Sequence, residues 1–546
     1  MTKLSDIDLQ VMWNRLIAVV EEQAQVLLRT AFSAIVREAG DLSAGVFDRD
    51  GNMLAQAVTG TPGHVNSMAE SVKHFIRTFP VETMREGDIY ITNDPWMGTG
   101  HLNDFVLTTP AFHKGKLVAL FSCTSHLMDI GGIGFGPDAT DVFMEGLYIP
   151  LLKLADNGKL NETLMAMIRA NTRLPIDTEG DVYSLAACND VGCERLSAMM
   201  TEFGLDDLDV LSKHILSRSR AAVLDAIAAM PQGSWSNTMT VDGYDEPVVL
   251  AATVTVSKTG IHVDFAGTGP ASRRGINVPL AYTTAYTVFG LACIVGKDIP
   301  NNAGSLAPLT VSAPEDSIVN ALKPKPVASR HVIGQMLPDV VFGALRQAIP
   351  ERVPAEGTSC LWNLNVRGQT EDAGLGNYGF TMAVTSNGGT GARPLKDGLS
   401  ATAYPSGVKG TPVEIAESIT PLIFWRKEFR TDSGGAGKTR GGLGQVIEVG
   451  SRIGKPFDLL AAYDRIDHPP RGRDGGKDGA AGAVALKSGV KLKGKGFQLI
   501  PPDDRLVVMT PGGGGIGAPT ARDKAAVEKD LSEGLISKAG AKVYGG

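Results

Sequence analysis

The N-terminal stretch carries an apolar stripe at helical spacing. Leu9, Met12, Leu16, Val19, Val20 and Leu27 recur at three- and four-residue intervals, and Ser5 or Asp6 stands where an N-cap belongs. The spacing predicts one long amphipathic helix over residues 6–37. Leu42–Phe47 then reads as a strand entering a turn at Asp48–Asn52, and residues 63–79 read as a helix. A strand over 88–92 stops at Asn93, Asp94 and Pro95. Two further strands, 105–112 and 117–124, flank a polar turn at His113–Lys116. Helical periodicity returns over 160–230.

The texture changes near Pro231. Residues 248–256 and 261–265 alternate as strands do, and helices are predicted over 280–295 and 334–348. Strands follow over 446–449, 459–463 and 505–509, and a charged helix pair over 523–541. These textures divide the chain into 1–230, 231–360 and 361–546. They predict an α+β, multi-domain protein: an N-terminal mixed α/β region, a mixed middle region, then a glycine-rich, mostly β region with C-terminal helices.

Composition narrows the class. With 546 residues, 43% of them hydrophobic and a net charge of −7, the chain has ample apolar material for several cores. Fifty-two Lys and Arg against 59 Asp and Glu give no general attraction to nucleic acid. The apolar runs fall short of the roughly 20 residues that span a bilayer, and the early acidic residues do not suit a secretory leader. Five scattered cysteines suggest no disulfide framework. The expectation is a cytoplasmic protein. Glycine is the outlier at 65 residues, concentrated near 131–136, 388–391, 434–444, 475–482 and 512–517 without a fixed period. Such clusters mean tight turns or close backbone approach.

Candidate chemistry gathers in the first region. Asn93 to Asp104 packs Asp94, His101 and Asp104 among turn residues just after a strand, and Ser125 to Gly132 repeats the design with His126 and Asp129. Imidazoles and carboxylates at strand ends are how a sheet presents a divalent cation. His101, His126 and Asp129 are the expected ligands and Glu38 the fourth, with Asp41, His64 and Asp104 in reserve. Nitrogen and oxygen donors alone predict zinc, manganese or iron rather than calcium. Asp432 to Thr439 approaches a phosphate-binding loop, but Asp432 replaces its first glycine and no strand–helix context surrounds it. A structural glycine turn is expected there instead.

Together these motifs resemble the hydantoinase B family from end to end. Asn93-Asp-Pro-Trp through His101-Leu-Asn-Asp104 is similar to the family's Asn-Asp-Pro-Tyr…Gly-Gly-Thr-His-Leu-Pro-Asp segment. Ser125-His126-Leu-Met-Asp129-Ile-Gly-Gly132 resembles its Ala-His-His-x-Asp-Ile-Gly-Gly segment, with Leu127 at the second His. Asn171 to Asp181, Asp432 to Gly444, Pro511 to Gly517 and Asp530 to Gly545 also match. The resemblance implies a catalytic subunit that works with a hydantoinase A-type ATPase partner in an (AB)n assembly. ATP and Mg would bind the partner, not this chain, and phosphorylation there would activate a substrate carbonyl. A cyclic-amide hydrolase acting on a hydantoin, lactam or oxoproline-like ring is expected first, a ketone carboxylase subunit second, and a non-catalytic scaffold third. On this reading Asp94, Asp104 and Arg393 are catalytic candidates, and Arg393 and Lys409 would bind substrate.

Overall fold

The computed structural model describes residues 4–58, 60–370 and 379–545. Helix α1 (Asp6–Thr30) opens on a capping box, in which Ser5 Oγ accepts from the Asp8 amide and the Asp8 carboxylate accepts from the Ser5 amide. Its apolar stripe is buried as the spacing predicts. The helix ends earlier than predicted. Ala31 turns extended, and the freed amides of Phe32 and Ser33 donate to Asp181 Oδ1 at 2.7 and 3.1 Å before a short α2 (Ala34–Arg37). A distant carboxylate satisfies donors that a continuous helix would have kept, which local periodicity cannot foresee.

There follow β1 (Leu42–Phe47), β2 (Met53–Gln56), α3 (Pro62–Thr78), β3 (Ile89–Thr92), β4 (Asp104–His113), β5 (Lys116–His126), β6 (Leu152–Asp156) and β7 (Lys159–Leu160). They build one antiparallel sheet in the order β2-β1-β5-β4-β3-β6-β7. Helices α4 (Glu162–Asn171), α5 (Pro175–Glu202) and α6 (Asp209–Ala228) complete this region. Helix α5 packs on β4 and β5 from one side, burying Leu107, Phe121 and Cys123. Helix α3 covers the other side over Val106 and Leu120. With both faces covered, β4 and β5 are buried almost throughout rather than on alternate residues.

The middle of the chain forms β8 (Gly233–Val241), β9 (Val248–Ser257), β10 (Gly260–Asp264), α7 (Leu280–Val295), α8 (Ala303–Leu306) and β11 (Leu309–Ser312), then α9 (His331–Gly334) and α10 (Leu337–Leu345). Its sheet runs β11-β10-β9-β8, with β10 and β11 parallel. The last part adds β12 (Leu364–Gly368), β13 (Phe380–Val384), α11 (Val413–Ile419), β14 (Leu422–Phe429), β15 (Gln445–Ser451), β16 (Phe457–Ala462), β17 (Ala483–Leu486), β18 (Lys495–Ile500), β19 (Leu506–Met509), α12 (Lys524–Ser532) and α13 (Lys538–Ala541). Two four-stranded sheets result, β13-β12-β16-β18 and β14-β15-β19-β17. The architecture is α+β. One continuous core runs from Val223 to Val508 and draws on all three of these sheets. Among the described residues no helix is long and apolar enough to cross a membrane.

The glycine clusters find their explanation here. The stretch 512–515 lies extended between 389–391, 433–436 and 471–479, joined by backbone bonds such as Gly513 N to Gly442 O (2.9 Å), Gly435 N to Gly513 O (2.8 Å) and Gly515 N to Lys477 O (2.9 Å). A Cβ on Gly513 would sit 1.9 Å from Thr390 O, and one on Gly441 would sit 1.9 Å from Gly513 O. These glycines are required for space between backbones, not for a left-handed φ. Asp432 to Thr439, the expected structural glycine turn, is part of this bundle. Asp432 Oδ1 accepts from the Ser537 amide at 2.8 Å and so ties the C-terminal helices to it.

Candidate metal centre

The site is built on one hairpin. Asp104 opens β4, His126 closes β5, and the two are register partners across the antiparallel pair. Directly opposed residues share a face, so both side chains point the same way. His101 joins them from the loop after β3, and His64 from the first turn of α3, where Pro62 starts the helix. Arg330 reaches in from the start of α9. All five side chains are buried.

Asp104 is the hub. Its Oδ1 lies 2.7 Å from His101 Nε2 and 3.2 Å from His126 Nδ1. Its Oδ2 lies 2.9 Å from His64 Nε2, accepts from Thr99 Oγ1 at 2.6 Å, and pairs with Arg330 Nη2. Burial alone would raise this carboxyl, but His101, His64 and Arg330 outweigh it and hold it well below the usual carboxylate range. The acid is ionised throughout the physiological range.

The tautomer of His101 exposes a conflict that a cation resolves. Its Nδ1 lies 2.8 Å from the Ala328 carbonyl, which only accepts, so Nδ1 carries the hydrogen. Burial and the Arg330 charge push this imidazole down to about 4, so it is neutral at pH 7. Nε2 then aims a lone pair at the Asp104 carboxylate oxygen, two acceptors in contact. A divalent ion satisfies both at once. Ligand atoms of His101, Asp104 and His126 lie within 4.8 Å of one another, and the buried His126 Nε2 and His64 Nδ1 have no hydrogen-bond partner. The donor set fits a metal ion of the zinc, manganese or iron kind.

A second set of groups fixes the first. Glu145 Oε1 accepts from the amides of Val327 and Ala328 at 2.6 and 2.8 Å, and Ala328 in turn holds His101. Next to the cluster lies a cavity of about 30 Å³, whose walls include Asp41, Phe135, Tyr282, His331 and Ser406. That space admits a water molecule or two.

The sequence matches a family model, hydantoinase B/oxoprolinase, over residues 5–519. The chain belongs to the hydantoinase B/oxoprolinase family. It is similar to caprolactamase subunit beta of Pseudomonas jessenii, at 28% identity over 100% of this chain and 96% of that one. The crystal structure of the ATP-dependent caprolactamase from that organism has a TM-score of 0.90 to it at 26% identity, covering 100% of this chain and 96% of that chain. A 5-oxoprolinase of Dictyostelium discoideum is 30% identical over 94% of this chain, which spans only 40% of that relative. A nucleotide-free acetone carboxylase shares the fold, with a TM-score of 0.85 at 19% identity, over 98% of this chain and 79% of that one.

Within this family fold the sequence-predicted residues fare differently. His101, His126 and the reserves Asp104 and His64 converge, and Asp41 lines the cavity with its Oδ1 3.5 Å from His64 Nδ1. Asp129 does not join them. Its carboxylate is taken up by Arg173 Nη1 (2.9 Å) and by the amides of Gly131 (3.1 Å), Leu174 (2.9 Å) and Arg173. Glu38 caps α2 and pairs with Arg37 at 3.1 Å, while Ile35 of the same helix lines the cavity. Asp94 closes a turn by accepting from the Trp96 amide at 2.9 Å and from the Tyr148 hydroxyl. Arg393 donates to the Asp397 carbonyl, and Lys409 is exposed although its neighbours Ser406 and Val408 line the cavity. Leu127 alternates away from His126 into the core beneath the sheet. Sequence reasoning missed Arg330 and His331, and placed Glu145 in a matching family motif without giving it a role at the site. The available signal was an Arg-His pair at the head of the apolar run 332–345.

Proposed function

We propose that this chain is the B-type catalytic subunit of an ATP-dependent cyclic-amide hydrolase acting on a hydantoin, lactam or oxoproline-like ring. The observation that carries the reading is its end-to-end likeness, in sequence and structure, to the beta subunit of an ATP-dependent caprolactamase. On this reading an A-type ATPase partner binds ATP and activates the carbonyl by phosphorylation, within an (AB)n assembly. His101, Asp104 and His126 hold a divalent ion, which when bound polarises a carbonyl oxygen and lowers the pKa of water. Arg330 supplies charge that keeps Asp104 ionised. The Ala328 carbonyl sets the His101 tautomer, and Glu145 fixes Ala328. Phe135, Tyr282 and Leu361 keep bulk water out. The cavity is smaller than a lactam ring, so on this reading it widens as substrate enters.

The test is co-expression with the A-type neighbour, followed by assays of substrate-dependent ATP cleavage across lactams, hydantoins and ketones, with and without labelled bicarbonate. ATP cleavage coupled to ring opening is the expected result. Label fixed into a ketone product would replace this reading with the carboxylase one.

A further inference from the structure

His331 opens α9 one residue after Arg330 and is 5% exposed. It lines the same cavity as His64, His101 and His126, and the Phe135 ring lies 5.8 Å from it and 4.7 Å from His126, centroid to centroid. The three other imidazoles contact Asp104. Neither ring nitrogen of His331 has a hydrogen-bond partner among the described residues. The ring nitrogens are not sealed off as His64 Nδ1 and His126 Nε2 are; they open onto the cavity. Burial, then Arg330 on its own turn, then His101 and His126 from the hairpin side, all oppose a charge on this ring; Asp104 favours it and is outweighed. His64 and Asp41 face the cavity from the side of α3 and β1. The outcome is a neutral imidazole with a free lone pair, in a space the size of a water molecule or two, beside the candidate metal cluster.

We propose that His331 is the proton-transfer residue of this site. The proposal rests on the cyclic-amide reading. As the oxygen of water bonds to the amide carbon, one O–H bond breaks and its proton passes to a ring nitrogen of His331. When the carbon–nitrogen bond breaks, the imidazolium returns that proton to the departing nitrogen. The added hydroxyl gives up its remaining proton as its C=O forms, so the ring opens to an amine and an acyl phosphate. A second water cleaves the acyl phosphate to a carboxylate and inorganic phosphate, and His331 ends neutral as it began.

The experiment compares His331→Asn and His331→Ala with wild type in the complex with the A-type partner. Turnover should fall by about a hundredfold or more, with KM changed only a few-fold and metal content unchanged. Added imidazole should restore part of the activity of His331→Ala. His331→Asn turning over within a few-fold of wild type would overturn the proposal. Loss of bound metal with normal melting would also overturn it, by making His331 a ligand. If the wild-type complex opens no ring, it is the cyclic-amide reading that fails. The role of His331 is then decided by imidazole ¹⁵N spectra of the zinc-loaded chain at pH 6, where a neutral, uncoordinated ring is expected and an imidazolium or zinc-bound ring refutes it.

Discussion

Asp104 and His126 face each other because of one irregularity near the far end of their hairpin. Pairing runs His113 to Lys116 and Phe112 to Leu117 at the turn, then shifts by one residue so that Ala111 meets Ala119. Without that shift Asp104 would oppose Ser125, and His126 would point to the other face of the sheet. The bulge thus decides which side chain reaches the carboxylate.

Asp104→Asn and His126→Ala should both lose stoichiometric metal, measured by elemental analysis, but they should differ in stability. Asp104→Asn leaves the buried Arg330 guanidinium without its counter-charge and should cost about 3–5 kcal/mol. His126→Ala removes a group whose Nε2 is already unpartnered and should cost less. Equal losses in chemical denaturation would show that the Arg330 pair contributes little.

Asp129→Asn separates two readings of the second motif. The Asp129 carboxylate holds Arg173 and three amides of the 131–174 junction, so the substitution should destabilise by about 2–4 kcal/mol. Metal content of the folded fraction should remain at wild-type level. Metal loss with unchanged melting would return Asp129 to the ligand set.

How far these sites were legible depends on the range of the interactions that make them. The hairpin strands and the helical stretches were visible because their signals are local alternation and periodicity. His101 and His126 stood out because two His-x-x-Asp segments follow neighbouring strands, whereas one such segment alone more often fixes a turn by a local hydrogen bond. His101-x-x-Asp104 and His126-x-x-Asp129 share one spacing, so the pattern alone could not rank Asp104 above Asp129. Spacing cannot show that Arg173, some forty residues on, already occupies Asp129, nor that a bulge turns His126 toward Asp104. The break after α1 has the same origin, since Asp181 that satisfies it lies on α5. Glycine content announced close backbone approach, but which stretches interlock is set by contacts between 390, 434, 477 and 513, beyond any local pattern.

Glu145 gives the pH prediction. Burial pushes its carboxyl from 4.5 up to about 8, against the two amides that donate to it. The folded chain therefore keeps a proton that the unfolded chain releases above pH 4.5. The resulting stability is complete below pH 4.5 and is lost as pH rises through about 8. Glu145→Gln stays neutral and keeps an acceptor for Val327 and Ala328, so it should lack this slope. Its stability relative to wild type should rise from pH 5 to pH 8, by at most about 1.4 kcal/mol per unit, and level off above. Parallel melting curves across that range would refute the assignment.

The glycine bundle yields a comparison of two alanines. At Gly204 the backbone is left-handed, with φ +64°, and nothing lies within 4 Å of an added Cβ. Gly204→Ala should cost only the conformational strain, about 1–2 kcal/mol. Gly513 shows no left-handed φ, but its Cβ would fall 1.9 Å from Thr390 O and 2.3 Å from Thr390 C. Those are backbone atoms, and Thr390 O also accepts from the Gly442 amide at 2.9 Å, so the neighbour cannot swing aside without breaking another link of the bundle. Gly513→Ala should cost more than Gly204→Ala and exceed the roughly 1–3 kcal/mol typical of overpacking, because backbone rather than a flexible side chain must move, and should deplete the folded fraction in expression and melting assays. If Gly513→Ala melts within the range of Gly204→Ala, the close packing of 512–515 against 390 is not what holds the third region together.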